Sequence, residues 1–259
     1  MSMPEGNNNH STRSSIKQII PFILRPNNGY LKIARQPQGS WLVPLLIISI
    51  TAILYLIAVG WLKQQAALVG EISLPPDFDY YTPEQQTQYF QATQSTQGAT
   101  FVYILPIIGS LFGIWIAWLF AGGTLHFITT LLGGRGETVV SMNVVAWASL
   151  PLAIRNIVRL IYLLISHKLI ASPGLSGFIN SSDSNWSIIL GSLLGLIDVY
   201  LIWHVILLFI GVRATTGLSN QKSIASVTIS IAFIVLLQVA LQFMITKIGE
   251  LSITRPFYF

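Results

Sequence analysis

The stretch Trp41–Leu62, WLVPLLIISITAILYLIAVGWL, contains no charged side chain. It is long enough for a helix to cross ~30 Å of hydrocarbon, which takes about 20 predominantly apolar residues. Lipid gives backbone N–H and C=O groups no water to bond, so such a stretch must satisfy them internally as a helix. Four further stretches have the same character: Phe101–Leu132, Val139–Ile165, Ile188–Ile210 and Val227–Ile245. Together they predict an all-α, polytopic membrane protein built as a five-transmembrane-helix bundle.

Composition supports this reading. Charged residues make up 9% of the chain and hydrophobic residues 53%, with a mean hydropathy of +0.65; soluble domains carry about 25% charged residues. The formal charge of +5 does not point to nucleic acid, because the basic residues sit between apolar stretches and form no dense run. Their distribution predicts orientation. Arg13, Lys17, Arg25, Lys32, Arg35, Arg135, Arg213 and Lys222 fall on one side, and Lys63, Lys168, Lys247 and Arg255 on the other. Positive charge stays inside, which places the N-terminus in the cytoplasm and the C-terminus outside. The chain has no cysteine, which excludes disulfides and thiolate metal sites. The polar opening, with the first long apolar stretch beginning only near residue 41, predicts that no signal peptide is removed.

These features divide the chain into a disordered cytosolic tail (1–14), a juxtamembrane segment (15–40), a membrane domain (41–245) with an outer loop (63–100), and an outer tail (246–259). Within the juxtamembrane segment, Ile16–Leu24 suits either an amphipathic helix on the inner leaflet or a collar packed under the bundle. In the outer loop, Pro75-Pro76 breaks any continuing structure. Thr82-Pro83-Glu84-Gln85 reads as a capping box opening a helix of about ten residues. Tyr80, Tyr81, Tyr89 and Phe90 are expected to rest on headgroups.

The residues with a possible role inside the membrane are few. Gly109 and Gly113, and Gly191 and Gly195, form two G-x-x-x-G motifs expected to bring the second and fourth segments together. Gly122-Gly123 and Pro151 are expected hinges. Arg155 and Arg159 share a face of the third segment, and Asp198 lies near the middle of the fourth. An unpaired charge there costs roughly 2.5–3.5 kcal/mol, so an intramembrane ion pair of Asp198 with Arg155, and Arg159 nearby, is the sharp expectation. The alternative leaves Arg159 snorkelling and Asp198 facing water within the bundle. His126 and His204 precede Gly133-x-Arg135 and Gly211-x-Arg213 at identical spacing. This internal echo suggests two parallel helical hairpins of the kind found in transporters. Two imidazoles without a carboxylate make a poor metal site. No nucleophile elbow, H-E-x-x-H or phosphate loop is present. No catalytic residue, metal or cofactor is expected.

Leu131-Leu-Gly-Gly-Arg-Gly-Glu-Thr-Val-Val, followed by Ala146-Trp-Ala-Ser-Leu-Pro151, resembles the hallmark of the Yip1 family in its bacterial and archaeal branch. So does Trp203-His-Val-Ile-Leu-Leu-Phe-Ile-Gly211, followed by Thr216-Gly-Leu-Ser and Lys222-Ser-Ile-Ala. Leu24-Arg-Pro and Gly39-Ser-Trp-Leu-Val-Pro44 fit the approach to the first span. The resemblance implies a five-helix integral membrane protein with a cytosolic N-terminus, here in a bacterial plasma membrane. Eukaryotic members bind small GTPases. No long cytosolic N-terminal domain like theirs is expected here, so small GTPase binding is not carried over, and the family supplies no agreed catalytic residues. Beyond the lipid bilayer, the expected partner is a second copy or another membrane protein. The expected role is a non-enzymatic scaffold or accessory subunit, with an ABC-type exporter as the partner class. The alternative is a small transporter or channel.

Overall fold

The computed structural model describes residues 19–34, 40–68, 78–179 and 185–254. The expected tail 1–14, Pro75-Pro76 and the last residues of the outer tail lie outside them. The described chain is helical: α1 Ile19–Leu24, α2 Pro26–Ala34, α3 Leu42–Leu68, α4 Pro83–Thr96, α5 Leu105–Leu131, α6 Thr138–Ala148, α7 Leu150–Ser166, α8 Asn185–Leu196, α9 Val199–Thr216 and α10 Asn220–Thr254. Five stretches are long and apolar enough to span a bilayer: Leu42–Gln65, Thr100–Leu131, Thr138–Ser166, Val199–Thr216 and Asn220–Ile245. Four of them match the sequence expectation within a few residues at most ends. The fourth begins about eleven residues late.

Proline placement accounts for several boundaries. Pro44 lies in the first turn of α3, where its missing N–H costs nothing. Pro106 lies in the first turn of α5, directly after a π-helical turn, Thr100–Ile104, in which the Leu105 N–H reaches back to the Thr100 carbonyl. Pro151 divides the third span. α6 ends at Ala148, Ser149 leaves the helix with ψ near zero, and α7 resumes at Leu150.

The chain contacts define two compact units. The first comprises the described parts of Met1–Leu46, Ala117–Leu152 and Ala171–Phe259. Here α1 and α2 form a collar against α6 and α9, with Phe22, Tyr30 and Ile33 at most 1% exposed. The collar is therefore the form that Ile16–Leu24 takes in its described part. Phe22 meets Tyr30 edge-on at 4.8 Å and Trp147 at 5.0 Å, and the Trp147 Nε1–H donates to Ser40 Oγ at 3.0 Å. The turn after α5 and the turn after α9 are tied together. The Arg135 N–H bonds the Thr216 carbonyl at 3.0 Å, and Lys222 Nζ bonds the Leu132 carbonyl at 2.8 Å. Gly133 and Gly217, with φ of +87° and +69°, close these two helices. The structural counterpart of Gly133 is thus Gly217, six residues beyond Gly211, where the sequence echo put it.

The fourth apolar stretch is two helices. α8 stops at Leu196, Asp198 is extended, and its carboxylate accepts the Leu201 N–H at 2.8 Å to cap α9. One carbonyl at the end of α8 is met from outside the helix. Gly174, at φ +61°, comes so close that a Cβ there would lie 2.7–2.8 Å from the carbonyls of Leu194, Gly195 and Ile197, and the Leu175 N–H bonds Leu194 O at 2.9 Å. Asp198 therefore stands at the start of a span, and not near its middle as expected.

The second unit comprises the described parts of Ile47–Ile116 and Ala153–Ile170. Polar side chains link its helices: Trp115 Nε1–H to Ser49 Oγ at 3.3 Å, Asn156 Nδ2 to Thr51 Oγ1 at 3.5 Å, and Tyr103 O–H to Gln64 Oε1 at 2.9 Å. The capping box forms as read. The Thr82 N–H bonds Gln85 Oε1 at 2.9 Å, and the Gln85 N–H bonds Thr82 Oγ1 at 3.3 Å. The helix runs on to Thr96, beyond the ten residues expected. Tyr81, Tyr89 and Phe90 pack around buried Phe78 with ring centroids 5.4–5.6 Å apart, while Tyr80 stays 88% exposed. Three of the four aromatics thus build a small core of their own in the connection between the first two spans.

Candidate functional site

The polar groups of the first unit converge where the third span breaks. Pro151 has no N–H for the Trp147 carbonyl, and the Leu152 N–H turns to Ser149 O at 2.9 Å. The Ala148 carbonyl thereby loses its helical donor. His204, on α9 and 8% exposed, places Nδ1 2.8 Å from that oxygen. A carbonyl only accepts, so Nδ1 carries the proton. His204 is thus the lock that closes the proline break, while His126, its partner in the sequence echo, is half-buried and occupies a different setting.

About two turns further along α9, Gly211 brings three elements together. A Cβ there would meet Val144 Cγ1 at 2.6 Å and the Tyr30 ring at 2.9 Å. Tyr30 is fully buried, and its hydroxyl donates to the Val144 carbonyl at 3.5 Å. Burial holds its pKa well above the ordinary phenol value, so it remains the donor.

The expected packing glycines (Gly109, Gly113, Gly191 and Gly195) and the glycines of the expected hinge (Gly122 and Gly123) differ in their surroundings. At Gly109, Gly113, Gly123 and Gly191 a Cβ would meet nothing within 4 Å among the described residues. Gly195 makes only ordinary contacts, with Pro173 and Ser176. Gly122 differs: a Cβ there would press on Met142, where α5 lies against α6. The helix runs unbroken through Gly122-Gly123. Arg155 and Arg159 stand on α7 in the second unit, and Asp198 in the first.

Sequence reasoning missed Asn143. It is fully buried on α6, and both its amide oxygen and nitrogen lack a hydrogen-bond partner among the described residues, as does Oγ of fully buried Ser223. An unsatisfied buried polar group costs about 1–3 kcal/mol. Asn143→Leu is therefore expected to raise stability in detergent by about 1–3 kcal/mol, read from thermal unfolding. A loss of stability would show that the folded protein supplies the amide with a partner.

The contacts join segments far apart in the chain: Leu24-Arg-Pro through its helix neighbours, Ala146–Pro151 through Trp147 and Ala148, and Trp203–Gly211 through His204 and Gly211. The family model described as the Yip1 domain matches residues 21–242, from the collar to near the end of the last span. The chain belongs to the Yip1 family. No curated protein and no solved structure matches it. The Yip1 match begins at Pro21, so the collar is part of the family's domain and not an appendage to it. The short family motifs that looked separate in the sequence are, in space, one packing unit: an aromatic collar, a proline break and the histidine and glycine that close on them.

Proposed function

We propose that this Yip1 protein is a non-enzymatic scaffold or accessory subunit of another membrane complex, with an ABC-type exporter as the partner class. The observation that carries this reading is the second span. None of its most apolar stretch is buried by its own chain, and Gly109 and Gly113 lie there one turn apart with open space beside them. Small residues in lipid allow a second helix to approach closely, and packing of that kind drives association where the hydrophobic effect cannot. We further propose a cytosolic N-terminus, an outer C-terminus and residence in a bacterial plasma membrane, on the strength of the basic residues and family motifs. Thiol labelling of single cysteines introduced at either end into the cysteine-free chain checks the orientation.

The experiment for the scaffold reading is chemical crosslinking in native membranes followed by identification of co-migrating proteins, for the parent and for Gly109→Leu/Gly113→Leu. Both glycines face open space, so the expected result is unchanged unfolding of the single chain with loss of the crosslinked species by at least about tenfold. Recovery of only the lone polypeptide from the parent sinks the reading. The divided fourth stretch favours a second reading, a small transporter, since discontinuous helices whose N-termini face a site recur in such proteins. Ion flux into liposomes that is abolished by Asp198→Asn would support it over the scaffold.

A further inference from the structure

The collar of the first unit holds a cleft of about 210 Å³ lined by Pro21, Phe22, Arg25, Asn28, Lys32 and Trp147, with Gly29 and Ile33 completing it. Its shape follows from Gly29. A Cβ there would fall 2.5 Å from the Phe22 ring, so the missing side chain lets that ring lie against α2 and form an apolar floor with Trp147. Its rim is basic. Arg25, at the junction of α1 and α2, and Asn28 and Lys32, four residues apart on α2, all line it. All three are exposed, and no acidic residue lines the cleft. Among the described residues neither cation is paired with a carboxylate. The volume is several times the ~30 Å³ share of one water. A rim of two cations and an amide above an apolar floor matches a phosphate-bearing anion.

The collar's other surface indicates where that anion comes from. Ile20 is 71% exposed, Leu24 74% and Leu31 40%, all on the same two short helices as the cleft. Large aliphatic side chains beside unneutralised cations fit the boundary between headgroups and acyl chains. We propose that the cleft is a binding site for the phosphate of an anionic phospholipid, gripped by Arg25 and Lys32 and oriented by Asn28, with the acyl chains along Ile20 and Leu24. The site is distinct from the glycine face of the second span and does not depend on the scaffold reading.

The test uses the full chain in nanodiscs of phosphatidylcholine with or without phosphatidylglycerol. Retention of each lipid is read by native mass spectrometry for the parent, Arg25→Gln/Lys32→Gln, and Lys63→Gln as a charge control in the second unit. Each cation near an anionic headgroup is worth about 1 kcal/mol, so relative retention of phosphatidylglycerol should fall about fivefold per cation and roughly thirtyfold for both. Lys63→Gln should leave it unchanged. Should the double variant be unstable, acetylation of Lys32 in the parent replaces it, with protection expected in phosphatidylglycerol discs and not in phosphatidylcholine discs. Equal retention by parent and double variant, an equal loss in Lys63→Gln, or no protection of Lys32 overturns the site. Protection by inorganic phosphate alone in lipid-free detergent, as strong as that by phosphatidylglycerol, overturns the lipid as its ligand in favour of a free phosphate.

Discussion

Trp147→Ala should release the collar and cost about 3–5 kcal/mol of folding free energy. The indole is fully buried, packs at a tilt against Phe22 and donates to Ser40 just ahead of the first span. Its removal leaves a cavity the proline break cannot close and strips the Ser40 hydroxyl of its donor. Trp147→Phe keeps most of the volume and loses only the hydrogen bond, for about 1 kcal/mol. The measurements are unfolding in mild detergent and limited proteolysis. In Trp147→Ala, cleavage should appear within residues 19–34 before any span is cut; equal protection in both variants would refute the arrangement.

Gly211→Leu is expected to be nearly as damaging, through overpacking. Even an alanine Cβ at this position meets Val144 Cγ1 at 2.6 Å and the fully buried Tyr30 ring at 2.9 Å. Val144 is β-branched and stiff at χ1, and Tyr30 is enclosed on all sides, so neither yields cheaply. Gly211→Ala should cost about 1–3 kcal/mol, and leucine more. Gly109→Ala, facing open space, should change the stability of the single chain by less than about 0.5 kcal/mol. Comparing thermal unfolding of the two alanine variants separates a glycine needed within the chain from one left open. Equal effects would mean that Gly211 is not the crossing point of α2, α6 and α9.

Much of the local structure was legible because it depends on nearby residues. The capping box at Thr82 and Gln85 closes within four residues, so its geometry is written in its spelling. Pro151 disrupts its helix wherever it sits, because the missing N–H and the ring clash are properties of one residue. The candidate site was less legible. Nothing near His204 in sequence indicates that its ring will bond the carbonyl freed by that proline, 56 residues earlier. The glycine motifs were visible, but whether each glycine touches anything is a property of neighbours. Gly109, Gly113 and Gly191 stand open, while Gly122 and Gly211, singled out as a hinge and as part of a repeat, mark close approaches.

The sequence by itself determined five membrane-crossing helices, because hydrocarbon leaves a long apolar stretch no other way to satisfy its own backbone. It determined the Yip1 membership for the same chain of short, ordered motifs. Only the tertiary structure decided that the fourth apolar stretch divides at Asp198. A helix can end inside such a stretch only if its orphan N–H and C=O groups find other partners. Here the Asp198 carboxylate accepts the Leu201 N–H on one side of the break, and the distant Leu175 N–H donates to the Leu194 carbonyl on the other.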